Sequence, residues 1–150
     1  MSVGRICLRE VDIAEAPESV FEAARRMRER RVGTLVVVDD TGKPVGLVTD
    51  RDLALRVVAV GGDPRAMSVG AVMTAYPETV SETAPIESAL ALMRSGSFRR
   101  LPVVNEDGKL VGILSLDDVL GLLAEEFALI AGLLEREAPR SAAQAGATRS

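Results

Sequence analysis

Histidine is absent from this 150-residue chain. With it go the commonest general base, the commonest metal ligand, and every Ser-His-Asp or Cys-His nucleophilic arrangement. Cysteine occurs once, as Cys7, so neither an intramolecular disulfide nor a cysteine-based zinc cluster can form. Long apolar runs are missing too. Arg56 and the pair Glu125-Glu126 interrupt the two longest candidates, leaving no stretch of about 18 apolar residues to span a bilayer. The opening MSVGRICLRE carries two arginines and an acid where a signal peptide needs an apolar core, so a reducing cytoplasm is the expected compartment. A formal net charge of −4 argues against generic nucleic-acid binding.

What is present is globular. Hydrophobic residues make up 47% and charged residues 27%, which suits one average domain or two small ones. Only the C-terminal SAAQAGATRS has low complexity, and it predicts a disordered tail over 138–150. Composition favours binding modules over enzymes.

The chain repeats itself. Residues 20–53 lie over 86–119 at an offset of 66 without a gap, and eleven of the 34 positions are identical, among them Ala23/Ala89, Met27/Met93, Gly46/Gly112 and Asp52/Asp118. The same offset pairs Val3-Gly4 with Val69-Gly70, so each copy has a lead-in segment. In each copy, apolar residues at helical spacing (Val20, Ala23, Met27; Ile86, Ala89, Met93) predict an amphipathic helix. Ser19 with Glu22 resembles a capping box, and Pro85 suits an opening turn. LVVVDDTGKPVGLVT and LPVVNEDGKLVGILS then read as hairpins, two β-branched apolar runs joined by Asp/Asn-rich turns ending in glycine. TDRDLALRVVAV, stopped by Gly61-Gly62, and SLDDVLGLLAEE predict a second helix in each copy. The expected fold is α/β (α+β), with two β-α-β-β-α repeats at 3–62 and 63–125 and a C-terminal helix extension over 126–137.

Chemistry concentrates where the second strand of each hairpin meets its helix. Gly46 to Asp52 and Gly112 to Asp118 both obey G-x-x-[ST]-x-x-D. A glycine in a strand admits another group close to the backbone. The hydroxyls of Thr49 and Ser115, with open N–H groups at a helix start, suit a phosphate, and Asp52 and Asp118 can accept both hydroxyls of a ribose. The same residues also make plain capping boxes. Recurrence in both repeats, joined to the hairpins, favours a nucleotide.

These motifs resemble those of a tandem pair of cystathionine-beta-synthase (CBS) domains, a Bateman module, over roughly residues 3–125. The resemblance implies that the two repeats pack about a pseudo-twofold axis as a stand-alone, non-catalytic regulatory module that binds an adenosyl ligand in the cleft between them. AMP, ADP or ATP come first, then S-adenosylmethionine or NAD(H), with no metal required. Carried over by position, Asp52 and Asp118 match the family's ribose-binding aspartates and Thr49 and Ser115 its phosphate-side hydroxyls. Val32-Gly33 and Phe98-Arg99-Arg100 match the segment bordering adenine and phosphates. Met73-Thr74 fits the family's lead-in, where the first copy has Cys7-Leu8. The alternative is a ligand-independent dimerisation or scaffold protein whose aspartates only cap helices.

Three other features have two readings each. Cys7 reads as a small core residue rather than a redox group. The arginines of the first helix, interleaved with Glu22 and Glu29, read as a solvated or interface face. Arg99 and Arg100 serve either phosphate binding or the surface. In the last helix Leu116, Leu120, Leu123, Phe127, Ile130 and Leu134 step by 4, 3, 4, 3 and 4, a heptad seam that packs on its own chain or pairs with another. The expected partners are the adenosyl ligand, a second copy in a homodimer and a regulated protein the sequence does not identify, with no membrane.

Overall fold

The computed structural model describes residues 1–96 and 98–137, so the tail expected over 138–150 lies outside the described residues. Residues 1–116 form one compact unit, and the chain from Asp117 onward forms another.

The first unit holds two sheets. One takes β1 (Ile13–Ala14), β2 (Thr34–Val38), β3 (Pro44–Thr49) and β4 (Thr74–Ala75) in that order. The other takes β5 (Val80–Ser81), β6 (Arg100–Val104) and β7 (Leu110–Ser115). Helix α1 (Val20–Arg30) precedes the first hairpin and α4 (Ile86–Gly96) the second. The two hairpins share one register. Thr34 faces Thr49 as Arg100 faces Ser115, Val37 faces Gly46 as Val103 faces Gly112, and a bulge falls after Val37 and after Val103. Their turns share one chemistry as well. The Asp39 carboxylate accepts from the N–H groups of Thr41 and Lys43, and the Asn105 amide oxygen from those of Asp107 and Lys109. Gly42 and Gly108 then take φ of 83° and 76°, which an L side chain resists.

The lead-in segments cross over. Thr74 of the second copy pairs with Leu47 of the first copy's hairpin, and Leu8 of the first copy bridges Ile113 of the second. Adding 66 to one residue of each pair and subtracting it from the other turns one contact into the other. The same holds for Ser2 with Pro85 against Ser68 with Ser19, and for the bonds Val3 N–H to Ala84 O and Val69 N–H to Glu18 O. An operation that exchanges the two copies in this way is a pseudo-twofold.

This exchange explains the strand glycines. A Cβ on Gly112 would lie 2.7 Å from Cys7 Sγ and 3.0 Å from Leu8 O, and one on Gly46 would meet the Met73 thioether and lie 3.2 Å from Thr74 O. The group that approaches the backbone is therefore the other copy's lead-in. Cys7 and Met73 occupy equivalent places, and Cys7 is buried. The core under the first sheet likewise joins Val20, Ala23, Leu35, Val37 and Val48 to Val69 and Val72 from beyond the repeat.

The second helix of the first copy departs from expectation. Regular α-helix covers only α2 (Asp50–Leu53) and gives way to a π-helical turn over Ala54–Val58. That wider turn carries Arg56, whose guanidinium donates to Val72 O at 2.8 Å and Met73 O at 3.3 Å. A four-residue helix, α3 (Val69–Val72), leads into β4. In the second copy the corresponding helix is α5 (Leu116–Glu137), 22 residues long, with Val119 its one buried residue.

Candidate ligand-binding site

In the first copy the hairpin ends at the Thr34–Thr49 pair, and the Asp50 N–H donates to Gly33 O at 3.0 Å. This brings the segment Val32-Gly33 against the start of α2. Thr49 stays extended at φ −117° and caps the helix, its hydroxyl accepting from Asp52 N–H at 3.1 Å. The Asp52 carboxylate accepts in return from Thr49 N–H at 2.9 Å, and its other oxygen lies 3.9 Å from Arg56 Nε. The capping box is thus complete. It also orients Asp52 while leaving acceptor positions on a carboxylate that can take several hydrogen bonds.

Sequence reasoning missed Asp50 here. Its Oδ2 lies 3.0 Å from where a Cβ on Gly33 would stand, so the absence of a side chain at Gly33 accommodates an acid beside the Val32-Gly33 segment. The signal was the second acid in the run Thr49-Asp50-Arg51-Asp52. The arginines of α1 largely pair with acids: Arg26 with Glu18 at 2.8 Å, Arg30 with Asp12 at 2.8 Å, and Arg25 with Glu22 and Glu29. The Arg26 guanidinium holds the Glu18 carboxyl below its ordinary pKa.

The second copy repeats the backbone and changes the side chains. Leu116 N–H donates to Arg99 O at 2.8 Å as Asp50 does to Gly33, and Phe98 N–H to Met93 O as Val32 does to Met27. Leu116 replaces the acid, and Arg99 replaces the glycine. Ser115 is half-buried at the end of β7, and Asp118 is exposed in the first turn of α5, within the second unit. Phe98 and Arg99 line an apolar cavity of about 340 Å³ with Leu90, Met93, Arg94 and Leu116. Neither Ser115 nor Arg100 borders it. A separate cavity of about 240 Å³ lies among Arg9, Val11, Ile13, Val38, Gly42, Leu110 and Val111, and none of the expected site residues lines it. Among the described residues no group of three or more Cys, Asp or Glu could hold a metal ion, and no helix is long and apolar enough to cross a membrane.

The CBS domain model matches residues 3–59 and 69–125, and the chain belongs to this family. Its tandem pairs are regulatory modules. A Methanopyrus kandleri protein is 36% identical over 120 residues, covering 80% of this chain, which spans 61% of that relative's length. Among solved structures, CBSX2 from Arabidopsis thaliana in complex with AMP is 29% identical with a TM-score of 0.71, covering 83% of this chain and 97% of that one. A CBS domain protein from Pyrobaculum aerophilum complexed with AMP is 30% identical with a TM-score of 0.71, covering 79% and 89%.

Proposed function

We propose that this chain is a non-catalytic sensor of the cytoplasm that binds an adenine nucleotide, AMP, ADP or ATP, and passes occupancy to a regulated protein as a homodimer. The observation that carries this reading is the recurrence of Thr49/Asp52 and Ser115/Asp118 at the same register of two equivalent hairpins. The AMP complexes of two similar structures support the choice of ligand. In this reading Asp52 and Asp118 take the ribose hydroxyls, Thr49 and Ser115 face the phosphates, and Val32-Gly33 and Phe98-Arg99-Arg100 border the base and phosphates. The repeats at 3–62 and 63–125 each contribute one such set of residues to the cleft between them. A scaffold without ligand is the second reading, favoured by the capping box that already employs Thr49 and Asp52.

A thermal-shift titration separates the two. A nucleotide at a hundred times its dissociation constant adds about 2.7 kcal/mol to stability, so the melting temperature rises with at least one of AMP, ADP, ATP, S-adenosylmethionine or NAD(H). No rise with any of them overturns the sensor reading.

A further inference from the structure

Where each hairpin meets its second helix, the two copies keep one backbone bond and exchange the side chains beside it. Asp50 N–H donates to Gly33 O, and Leu116 N–H to Arg99 O, so the glycine goes with an acid and the arginine with a leucine. We propose that Asp50 determines specificity in the first copy: it sets a carboxylate where a ligand's 5′ phosphate would lie, and so selects an adenine nucleoside whose 5′ group carries no negative charge. The inference rests on the nucleotide reading above, in which Thr49 faces the 5′ end of the ligand, and adds which 5′ end the first copy favours.

Three observations carry it. The first is the use of the donors. At the start of α2 four consecutive N–H groups already have protein acceptors. Thr49 N–H donates to the Asp52 carboxylate at 2.9 Å and Asp50 N–H to Gly33 O at 3.0 Å. Arg51 N–H donates to the Asp50 carboxylate at 2.8 Å and Asp52 N–H to the Thr49 hydroxyl at 3.1 Å. Such N–H groups are what a helix start offers a phosphate, and here two of the four acceptors are themselves carboxylates.

The second is the place of the Asp50 carboxylate. While Oδ1 takes the Arg51 N–H, Oδ2 lies 3.0 Å from where a Cβ on Gly33 would stand, so the group is held over the Val32-Gly33 segment. The glycines with positive φ are Gly42, Gly61 and Gly108, so at Gly33 it is the space for the carboxylate, and not the backbone, that requires glycine. Arg51 brings the opposite charge one residue on, about 100° further round the helix, and leaves the carboxylate beside Gly33 in place. The third is the comparison within the chain. Arg99 and Arg100 stand at the register of Gly33 and Thr34, and Leu116 has no acceptor to set beside them. Guanidinium groups hold phosphate through charge-assisted bonds, whereas a carboxylate at the same place repels it.

The test is a titration of the full chain with adenosine and with AMP, followed by amide NMR spectroscopy. Amides from Gly46 to Asp52 report on the first copy and those from Gly112 to Ser115 on the second. Asp50 is exposed, so solvent screens the repulsion, and the first copy should bind adenosine about tenfold more tightly than AMP at low salt. Asp50→Asn keeps an oxygen for the Arg51 N–H and removes the charge. It should tighten AMP at the first copy about tenfold and leave adenosine unchanged. Gly33→Arg with Asp50→Leu, which gives the first copy the second copy's pair, should turn its preference to AMP. An AMP-to-adenosine ratio at the first copy that neither replacement moves overturns the role of Asp50, and so does a first copy that binds neither probe while the second binds AMP. In both of these outcomes the nucleotide reading stands through the second copy. Silence of both copies toward both probes overturns that reading and this inference with it.

Discussion

At the scale of single residues, Asp52 is held before any ligand arrives, by the Thr49 N–H at 2.9 Å and the weaker attraction of Arg56 at 3.9 Å. Asn in its place keeps the size and an acceptor oxygen for the cap, and loses the charge that, in the proposed site, would strengthen bonds from ribose hydroxyls. Such charge-assisted bonds are worth roughly 1.5–3 kcal/mol. Asp52→Asn should therefore weaken nucleotide binding about ten- to a hundredfold by titration calorimetry with little change in the melting temperature of the unliganded protein. Unchanged affinity in both Asp52→Asn and Asp118→Asn would remove the aspartates from the site. The strand glycines make a contrasting test. A methyl on Gly112 meets Leu8 O and Cys7 Sγ, whereas one on Gly46 meets chiefly the flexible end of Met73. Gly112→Ala should cost about 1–3 kcal/mol in urea unfolding and Gly46→Ala less. Adding Cys7→Ala should return part of the Gly112→Ala loss, and equal costs for the two glycines would contradict the close approach of the first lead-in.

Among the elements, the lead-ins do most to join the copies, and Glu18 stands at one of these joints. Its carbonyl accepts from Val69 N–H at 2.8 Å, while its carboxylate takes two bonds from Arg26, whose guanidinium also reaches Ile13 O. The carboxyl pKa is lowered in the folded chain by the Arg26 hydrogen bond. A lowered folded pKa contributes stability above the unfolded value, and that contribution is lost as pH falls through the folded one. Glu18→Gln should thus cost about 1 kcal/mol at pH 7, with the difference from the parent shrinking toward zero below about pH 4. A difference independent of pH would exclude the ion pair as its source. The hairpins and first helices were legible in the sequence because alternation, helical spacing and Asp/Asn-Gly turns are local signals. The crossover was not, since β1, β4 and β5 have two residues each, too short for a period, and their partners lie far along the chain. The π turn at Ala54–Val58 carried no local mark either. For the site, Thr49 and Asp52 were legible as a pair, but the approach of Asp50 to Gly33 depends on the hairpin bringing residues 17 apart together.

For the molecule as a whole, exchange of lead-ins has a thermodynamic consequence. Val69 and Val72 complete the core beneath the first sheet, and Val3, fully buried, enters by the equivalent bond to Ala84. Unfolding either copy alone would strip the other of a pairing segment and of buried valines, each worth about 1.5–3 kcal/mol when fully buried. Partial unfolding is therefore costly on both sides of the pseudo-twofold. The two hairpins should unfold in one transition, with amides of β2 and β3 showing the same opening free energy as those of β6 and β7 in native-state hydrogen exchange. A nucleotide bound at one copy should then raise protection in both hairpins by the same amount, because both open through a single global step that the ligand opposes. Two separate transitions, or protection confined to one hairpin, would show that each copy folds independently and that occupancy at one is not felt at the other.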